Sequence, residues 1–270
     1  MKVVLFCGGQ GLRLREYSEN VPKPMVPIGY RPIIWHVMKY YAHFGHRDFI
    51  LCLGYKADVI KEYFLKYNEC LSNDFVLKNG GRDLTLFNSD LDDWTITFVD
   101  TGIEANIGER LLAVRDHLKD EDTFLANYSD NLTDLHRPDL IRHFNEQYRV
   151  ACFTSVRPSH TFHLVRSGTD SSVESLTPAQ EAEIWLNGGY FVFNRDIFNN
   201  INEGEDLVNE PFKRLIGKKQ LTTYRHSGFW ACMDTFKERQ VLEDLSQRNR
   251  APWKVWDDVG KSGIRPESSL

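Results

Sequence analysis

Lys2-Val3-Val4-Leu5-Phe6-Cys7 runs into Gly8-Gly9-Gln10-Gly11-Leu12-Arg13-Leu14, an apolar segment stopped by a glycine loop. An apolar run without polar alternation suits a strand covered on both faces, as strands of a parallel sheet are. A loop at the carboxyl end of such a strand lies where open α/β sheets place their ligands. Working outward, strand-like runs at 2–7, 48–53, 95–99, 123–128 and 150–156 alternate with helical patterns at 32–44, 56–67, 109–118 and 138–148. This alternation predicts an α/β fold: a mostly parallel, Rossmann-like mixed sheet with helices on both faces. Residues 67–94 break the pattern as a polar excursion with room for a hairpin. In the second half, strands are expected at 161–166, 184–194 and 221–225 and helices at 209–217 and 235–248. These read as antiparallel elaborations of the same sheet.

The chain has 270 residues, 41% hydrophobic and 26% charged. We therefore expect a single domain over 1–256 and a mobile tail over 257–270, where apolar content falls away. No run approaches the roughly 20 apolar residues that span a bilayer, and the first nine residues are too short for a signal core. The expectation is a cytoplasmic protein with no membrane partner. Five scattered cysteines without a C-x-x-C pair indicate neither a disulfide framework nor a zinc ribbon. A formal net charge of −5 argues against nucleic acid as a partner. If the protein handles anions, a few placed cations and a metal must meet their charge.

The glycine loop fails two familiar tests. A dinucleotide fingerprint would need a third glycine where Leu14 stands, and a phosphate loop ending in Gly260-Lys261-Ser262 would need a glycine where Val255 stands. What remains is a turn in which Gly8, Gly9 and Gly11 let backbone N–H groups approach an anion. Arg13 can fork onto phosphate oxygens, and Lys23, between Pro22 and Pro24, is a point charge on a stiff segment. The plainer alternative is a tight turn with solvated cations. Asp130, just past a strand, and Asp234, just before a helix, could together bind Mg²⁺, which takes one or two carboxylates plus substrate phosphates. Their plainer alternative is a loop aspartate and a helix cap.

Taken together, the Gly8–Leu14 loop and Val21-Pro22-Lys23-Pro24-Met25 resemble the signature of the sugar-1-phosphate nucleotidyltransferases, and most nearly the glucose-1-phosphate cytidylyltransferases among them. The resemblance extends through Phe49–Lys56, Val99-Asp100-Thr101-Gly102, Asn187-Gly188-Gly189, Gly228-Phe229-Trp230 with Met233-Asp234-Thr235, and Ala251–Trp256. It implies the nucleotide-diphospho-sugar transferase fold and transfer of a nucleotidyl group from an NTP, expected to be CTP, to a sugar 1-phosphate or related phosphate acceptor. It implies Mg²⁺ on Asp130 and Asp234, and Arg13 and Lys23 as catalytic cations on the leaving phosphates. Nucleotide contacts are implied for Gly8, Gly9, Gly11, Leu12, Ala105, Arg110 and Ser129, and a homo-oligomer for the assembly. Acceptor contacts fall to Asn187 and Gly188.

The sequence departs from the family at several points. Leu12 replaces a threonine, and Ser129-Asp130-Asn131 replaces Gly-Asp-Gly. Leu176-Thr177-Pro178-Ala179-Gln180 stands where the relatives have a Glu-Lys-Pro motif, and Thr161-Phe162-His163 where they have Arg-Phe-Gly. Either the acceptor is unusual, with His160, His163, Arg157 or Arg166 as substitute cations, or the chain is a binding protein that has lost transferase activity. The pairs His43/His46 and His160/His163 lack a third ligand for a metal. Trp35, Met38 and Tyr41 recur at helical spacing as core, and Cys7 reads as buried rather than nucleophilic.

Overall fold

The computed structural model describes residues 1–9, 21–158, 163–179 and 181–257. In chain order its main elements are β1 (Val3–Phe6), α1 (Ile33–His43), β2 (Asp48–Leu53), α2 (Ala57–Leu65), β3 (Thr95–Asp100), α3 (Ile107–Ala113), β4 (Thr123–Asn127) and α4 (Arg137–Gln147). They continue with β5 (Ala151–Val156), β6 (Leu186–Asn194), α5 (Glu210–Gly217), β7 (Leu221–His226) and α6 (Phe236–Gln247). The seven strands form one sheet in the order β7-β5-β6-β4-β1-β2-β3. Parallel pairing joins β4, β1, β2 and β3, and also β5 and β7; β6 runs antiparallel to both its neighbours. Within the sheet, the expected antiparallel elaboration is thus β6 alone. Short antiparallel pairs lie outside it, and two of them, Pro27–Ile28 with Arg31–Pro32 and Phe75–Lys78 with Asp83–Leu86, fall in the first half.

The apolar strands follow from burial on both faces. Val3 and Leu5 of β1, with Phe49, Leu51 and Leu53 of β2, face a core shared with α1, α4 and α6, whereas Val4, Phe6, Ile50 and Cys52 face one shared with α3 and α5. Alternate side chains of a strand point to opposite faces, so two covered faces demand an unbroken apolar run. Helix α1 carries the same logic further: nine of its eleven residues are buried, including Trp35, Met38 and Tyr41. Its outer side is roofed by the 251–256 segment, where Trp256 meets Trp35 edge-on at 6.0 Å and Trp253 approaches His36 at 6.1 Å. The helix stops at Gly45, whose φ of +84° lets the Gly45 and His46 N–H groups donate back to the Ala42 and Tyr41 carbonyls.

Two local expectations shift. The helix expected at 109–118 starts at Ile107, capped by Asn106 and Glu109, and breaks at Val114 into a 3₁₀ turn, Arg115–Leu118. The strand expected at 161–166 is described over His163–Ser167, paired with Val173–Pro178. Its first two expected residues lie outside the described residues, as do 258–270 of the expected tail. Among the described residues, no helix is long and apolar enough to cross a membrane.

Candidate active site

Strand order reverses between β1 and β4, since the chain first builds outward through β2 and β3 and then returns to the other side of β1. Neighbouring connections leave in opposite directions there, and a crevice opens at the carboxyl ends of the strands. A cleft of about 680 Å³ occupies this position. Cys7 and Gly9 from the end of β1, Lys23, Ala105 and Arg110, and Ser129, Asp130 and Asp234 all line it. Gly11, Leu12 and Arg13 lie outside the described residues.

The carboxylates come together through a small sheet. Asn131–Thr133 pairs antiparallel with Trp230–Cys232, and the Met233 N–H donates to the Asp130 carbonyl at 2.9 Å. Asp130 and Asp234, from opposite halves of the chain, thereby emerge side by side. Thr235, rather than Asp234, caps α6, sharing a capping box with Glu238, while Glu238 also accepts from the Asp234 N–H at 2.8 Å. The main chain is thus held by other groups, and the Asp234 carboxylate turns toward Lys23. Pro22, Pro24 and the Val26-to-Lys23 backbone bond fix the 3₁₀ turn Lys23–Met25 that carries the lysine.

The Lys23 ammonium sits between the carboxylates, 2.5 Å from Asp130 Oδ2 and in direct contact with Asp234 Oδ1. Burial pulls its pKa down, but the two carboxylates outweigh burial and the net shift is upward. Asp130 moves up as well, because burial and the neighbouring Asp234 exceed the effect of Lys23. Among the described residues, no three His, Cys, Asp or Glu side chains form a metal cluster. The donor set is therefore two carboxylates, already grouped around a cation, and this suits a Mg²⁺ completed by phosphate oxygens and water. Ser129 adopts a φ of +66°, a region where glycine is at ease, and is fully buried. Its N–H donates to Asn127 Oδ1 at 2.7 Å and its hydroxyl to the Phe6 carbonyl at 2.8 Å, which offsets the strain.

Gly8 and Arg110 prove to be linked. The Arg110 guanidinium donates to the carbonyls of Leu53, Gly8 and Ile103 and to Thr101 Oγ1, over 2.7 to 3.2 Å. It is 2% exposed. A Cβ on Gly8 would lie 1.9 Å from Arg110 Nη1. The expectation was a glycine that lets an anion approach, whereas the space beside Gly8 is filled by Arg110. The arginine lines the cleft but is tied into its floor, where it staples the β1, β2 and β3 loops together. Cys7 is 1% exposed, and burial pushes its thiol up to about 12, which makes it inert.

On the acceptor side, Asn187 donates to the Tyr128 hydroxyl at 3.3 Å, and Trp230 Nε1 donates to the Gly188 carbonyl at 2.8 Å. His163 and Arg166 are not brought to the cleft: both lie on the exposed hairpin, where Arg166 faces Glu174 at 3.7 Å. Sequence reasoning missed Ile103, Glu104, Asn106, Tyr128, Asp206 and Val208, which also line the cleft. Asp206 Oδ1 is buried there without a hydrogen-bond partner. Its place depends on the 205–207 backbone packing over Gly108, where any Cβ would strike the Glu205 carbonyl at 2.1 Å. No local pattern in the sequence marks that contact.

A switch-point cleft with a lysine between two carboxylates defines an α/β enzyme built to bring phosphate and a cation together. The chain belongs to the nucleotidyl transferase family, whose model matches residues 2–263. It is 36% identical over 260 residues to the glucose-1-phosphate cytidylyltransferase of Salmonella typhimurium, covering 95% of this chain and 100% of that protein. The Salmonella typhi glucose-1-phosphate cytidylyltransferase matches with the same identity and coverage. Among solved structures, UDP-glucose pyrophosphorylase complexed with UDP-glucose superposes with a TM-score of 0.66 at 14% identity, over 92% of this chain and 99% of that one. That likeness concerns the fold.

Proposed function

We propose that this chain is a Mg²⁺-dependent cytidylyltransferase that joins CTP to a sugar 1-phosphate or related phosphate acceptor, forming a CDP-linked product and releasing pyrophosphate. The observation that carries the reading is the Lys23–Asp130–Asp234 cluster at the switch point, in a chain that aligns end to end with glucose-1-phosphate cytidylyltransferases. A phosphate monoester with a second pKa near 6 is mostly dianionic at neutral pH, so an acceptor oxygen attacks the α-phosphorus without a general base. The barrier is repulsion between two anions, and the protein's task is positioning and charge neutralisation.

Asp130 and Asp234 would hold the metal, which when bound neutralises charge on the α-phosphate. Lys23, released from the carboxylates, would turn to the leaving phosphates together with Arg13. Gly9, Ala105 and Ser129 would line the nucleotide's bed, with Arg110 and Gly8 fixing the shape of its floor. Asn187 and Gly188 would face the acceptor. The continuous sheet supports residues 1–256 as one domain. The hairpin at 75–86 leaves Phe75, Leu77 and Leu84 exposed, which supports a homo-oligomer.

The test is pyrophosphate release from CTP, Mg²⁺ and a panel of sugar, cyclitol and non-sugar phosphates. At least one acceptor is expected to turn over, and Lys23→Ala should lower that turnover at least a hundredfold, about 2.7 kcal/mol of lost charge stabilisation. Near-wild-type release by Lys23→Ala would remove the lysine from the mechanism.

A further inference from the structure

Asn131 directly follows Asp130 and stands where the relatives' Gly-Asp-Gly has its second glycine. Its side chain adds an amide beside one of the two grouped carboxylates, and the surroundings fix which way that amide points. The Ser129 N–H donates to Asn127 Oδ1 at 2.7 Å. A backbone N–H can only donate, so the oxygen of the Asn127 amide faces Ser129 and its nitrogen is left for Asn131. That nitrogen donates to Asn131 Oδ1 at 3.1 Å. The Asn131 nitrogen in turn donates to Asp130 Oδ1, at 3.4 Å. Three donors thus point one way along the series, and its last acceptor is a carboxylate. Reversing the Asn131 amide would set its oxygen against that carboxylate and turn its N–H groups toward those of Asn127.

The relay is closed off from water. Asn127, Ser129 and Asn131 are each no more than 1% exposed. Gly189 of β6, at a φ of +75°, makes the room: a Cβ there would lie 2.5 Å from Asn131 Nδ2. The neighbouring Tyr190 hydroxyl donates to the Asn131 carbonyl at 2.8 Å, and Asn131 pairs with Cys232 in the small sheet. The amide is therefore held through its main chain as well as at its tip.

The two oxygens of Asp130 are put to different uses. Oδ1 accepts from Asn131, whereas Oδ2 lies 2.5 Å from Lys23 Nζ, on the side where a cation sits. A cation that takes the place of the ammonium meets Oδ2 while Oδ1 is engaged. Mg²⁺ needs only one oxygen from a carboxylate, since it takes a strict octahedral set and keeps several waters. Ca²⁺ takes roughly six to eight oxygens in a looser set and can use both oxygens of one carboxylate. Resting on the transferase reading above, with its Mg²⁺ on Asp130 and Asp234, we propose that Asn131 is a positioning residue that confines Asp130 to one-oxygen coordination. The Asn127–Asn131 relay thereby makes the site select Mg²⁺ over Ca²⁺.

The experiment reads displacement of Mn²⁺ from the full chain by Mg²⁺ and by Ca²⁺, without nucleotide, using electron paramagnetic resonance. Asn131→Ala removes the donor. Asn127→Asp keeps the shape and the bond from Ser129 but offers Asn131 an acceptor in place of a donor, which draws the amide nitrogen away from Asp130. In each variant the preference for Mg²⁺ over Ca²⁺ should fall about tenfold from that of the parent, the scale on which groups behind a metal ligand act. A merely structural role would weaken both ions alike and leave the ratio in place. An unchanged ratio in both variants overturns this inference and leaves the transferase reading, which pyrophosphate release decides, intact. Asp130→Asn is expected to abolish Mn²⁺ binding at the site. Mn²⁺ binding as tight as in the parent would overturn both this inference and the metal assignment beneath it.

Discussion

Replacing Lys23 by methionine keeps the length of the side chain and removes its charge. The ammonium touches both Asp130 and Asp234, so the facing carboxylate oxygens are at most about 5 Å apart. At an effective dielectric constant of about 20, two like charges at 5 Å repel by about 3 kcal/mol. The Asp130 and Asp234 side chains are 21% and 36% exposed, so part of this is screened and 2 to 3 kcal/mol is the expected loss. In a chain of this size that corresponds to a fall in Tm of roughly 5 to 10 °C without metal. Because the lysine competes with a metal for the same oxygens, the variant should bind Mn²⁺ or Mg²⁺ at least tenfold more tightly in the absence of nucleotide. Millimolar metal should then restore much of its Tm through mass action, with a smaller shift in the parent protein. Differential scanning calorimetry with and without metal, and Mn²⁺ binding by electron paramagnetic resonance, read both effects. A variant as stable as the parent in chelator, with unchanged metal affinity, would refute the idea that these carboxylates form a cation site held by Lys23.

Three further outcomes follow from the same geometry. Gly8→Ala should destabilise the protein by about 3 kcal/mol or more, since the new methyl would displace the Arg110 guanidinium and orphan its buried acceptors; urea unfolding checks this, and the double variant Gly8→Ala/Arg110→Ala should lose less than the sum of the single losses. Ser129→Gly should change stability by less than about 1 kcal/mol, because relief at positive φ offsets the lost hydroxyl bond, whereas Ser129→Val should cost more than about 2 kcal/mol in thermal unfolding. His36 is buried, accepts from Trp253 Nε1 and bonds the Ile28 carbonyl, and burial lowers its pKa from 6.5 to about 4. The unfolded chain therefore takes up a proton below pH 6.5 that the folded chain refuses until about pH 4, so stability falls with pH through that window, by about 3 kcal/mol from this ring. His36→Gln should flatten that limb of the stability curve measured by denaturant titration, and an unchanged slope would exclude His36 as its source.

The architecture was largely legible in the chain because its signal is local. Two covered faces write themselves as unbroken apolar strands, and Val3–Phe6 and Asp48–Leu53 read that way from residue type alone. Helix positions followed from residue spacing, and Gly45 marked the end of α1. The short strands at Asn131–Thr133 and Trp230–Cys232 were not legible, since a pair of three-residue strands has no period to detect and exists only through its partner. Arg110 was found for its motif, but its duty to three carbonyls could not be, because hydrogen bonds to backbone leave no trace in residue type. His163 and Arg166 have the chemistry to meet a phosphate, but the hairpin that carries them lies away from the cleft.

By itself the sequence determined the α/β alternation, the glycine loop after β1, and the residue types a phosphate site needs: Lys23, Asp130 and Asp234. Periodicity and side-chain chemistry act over a few residues, and these can be read in order along a chain. Only the tertiary structure decided that the two aspartates meet around one ammonium and that Arg110 fills the space Gly8 leaves. Each of these depends on strands distant in sequence coming into register, and register is settled by the packing of the whole sheet rather than by any one segment of it.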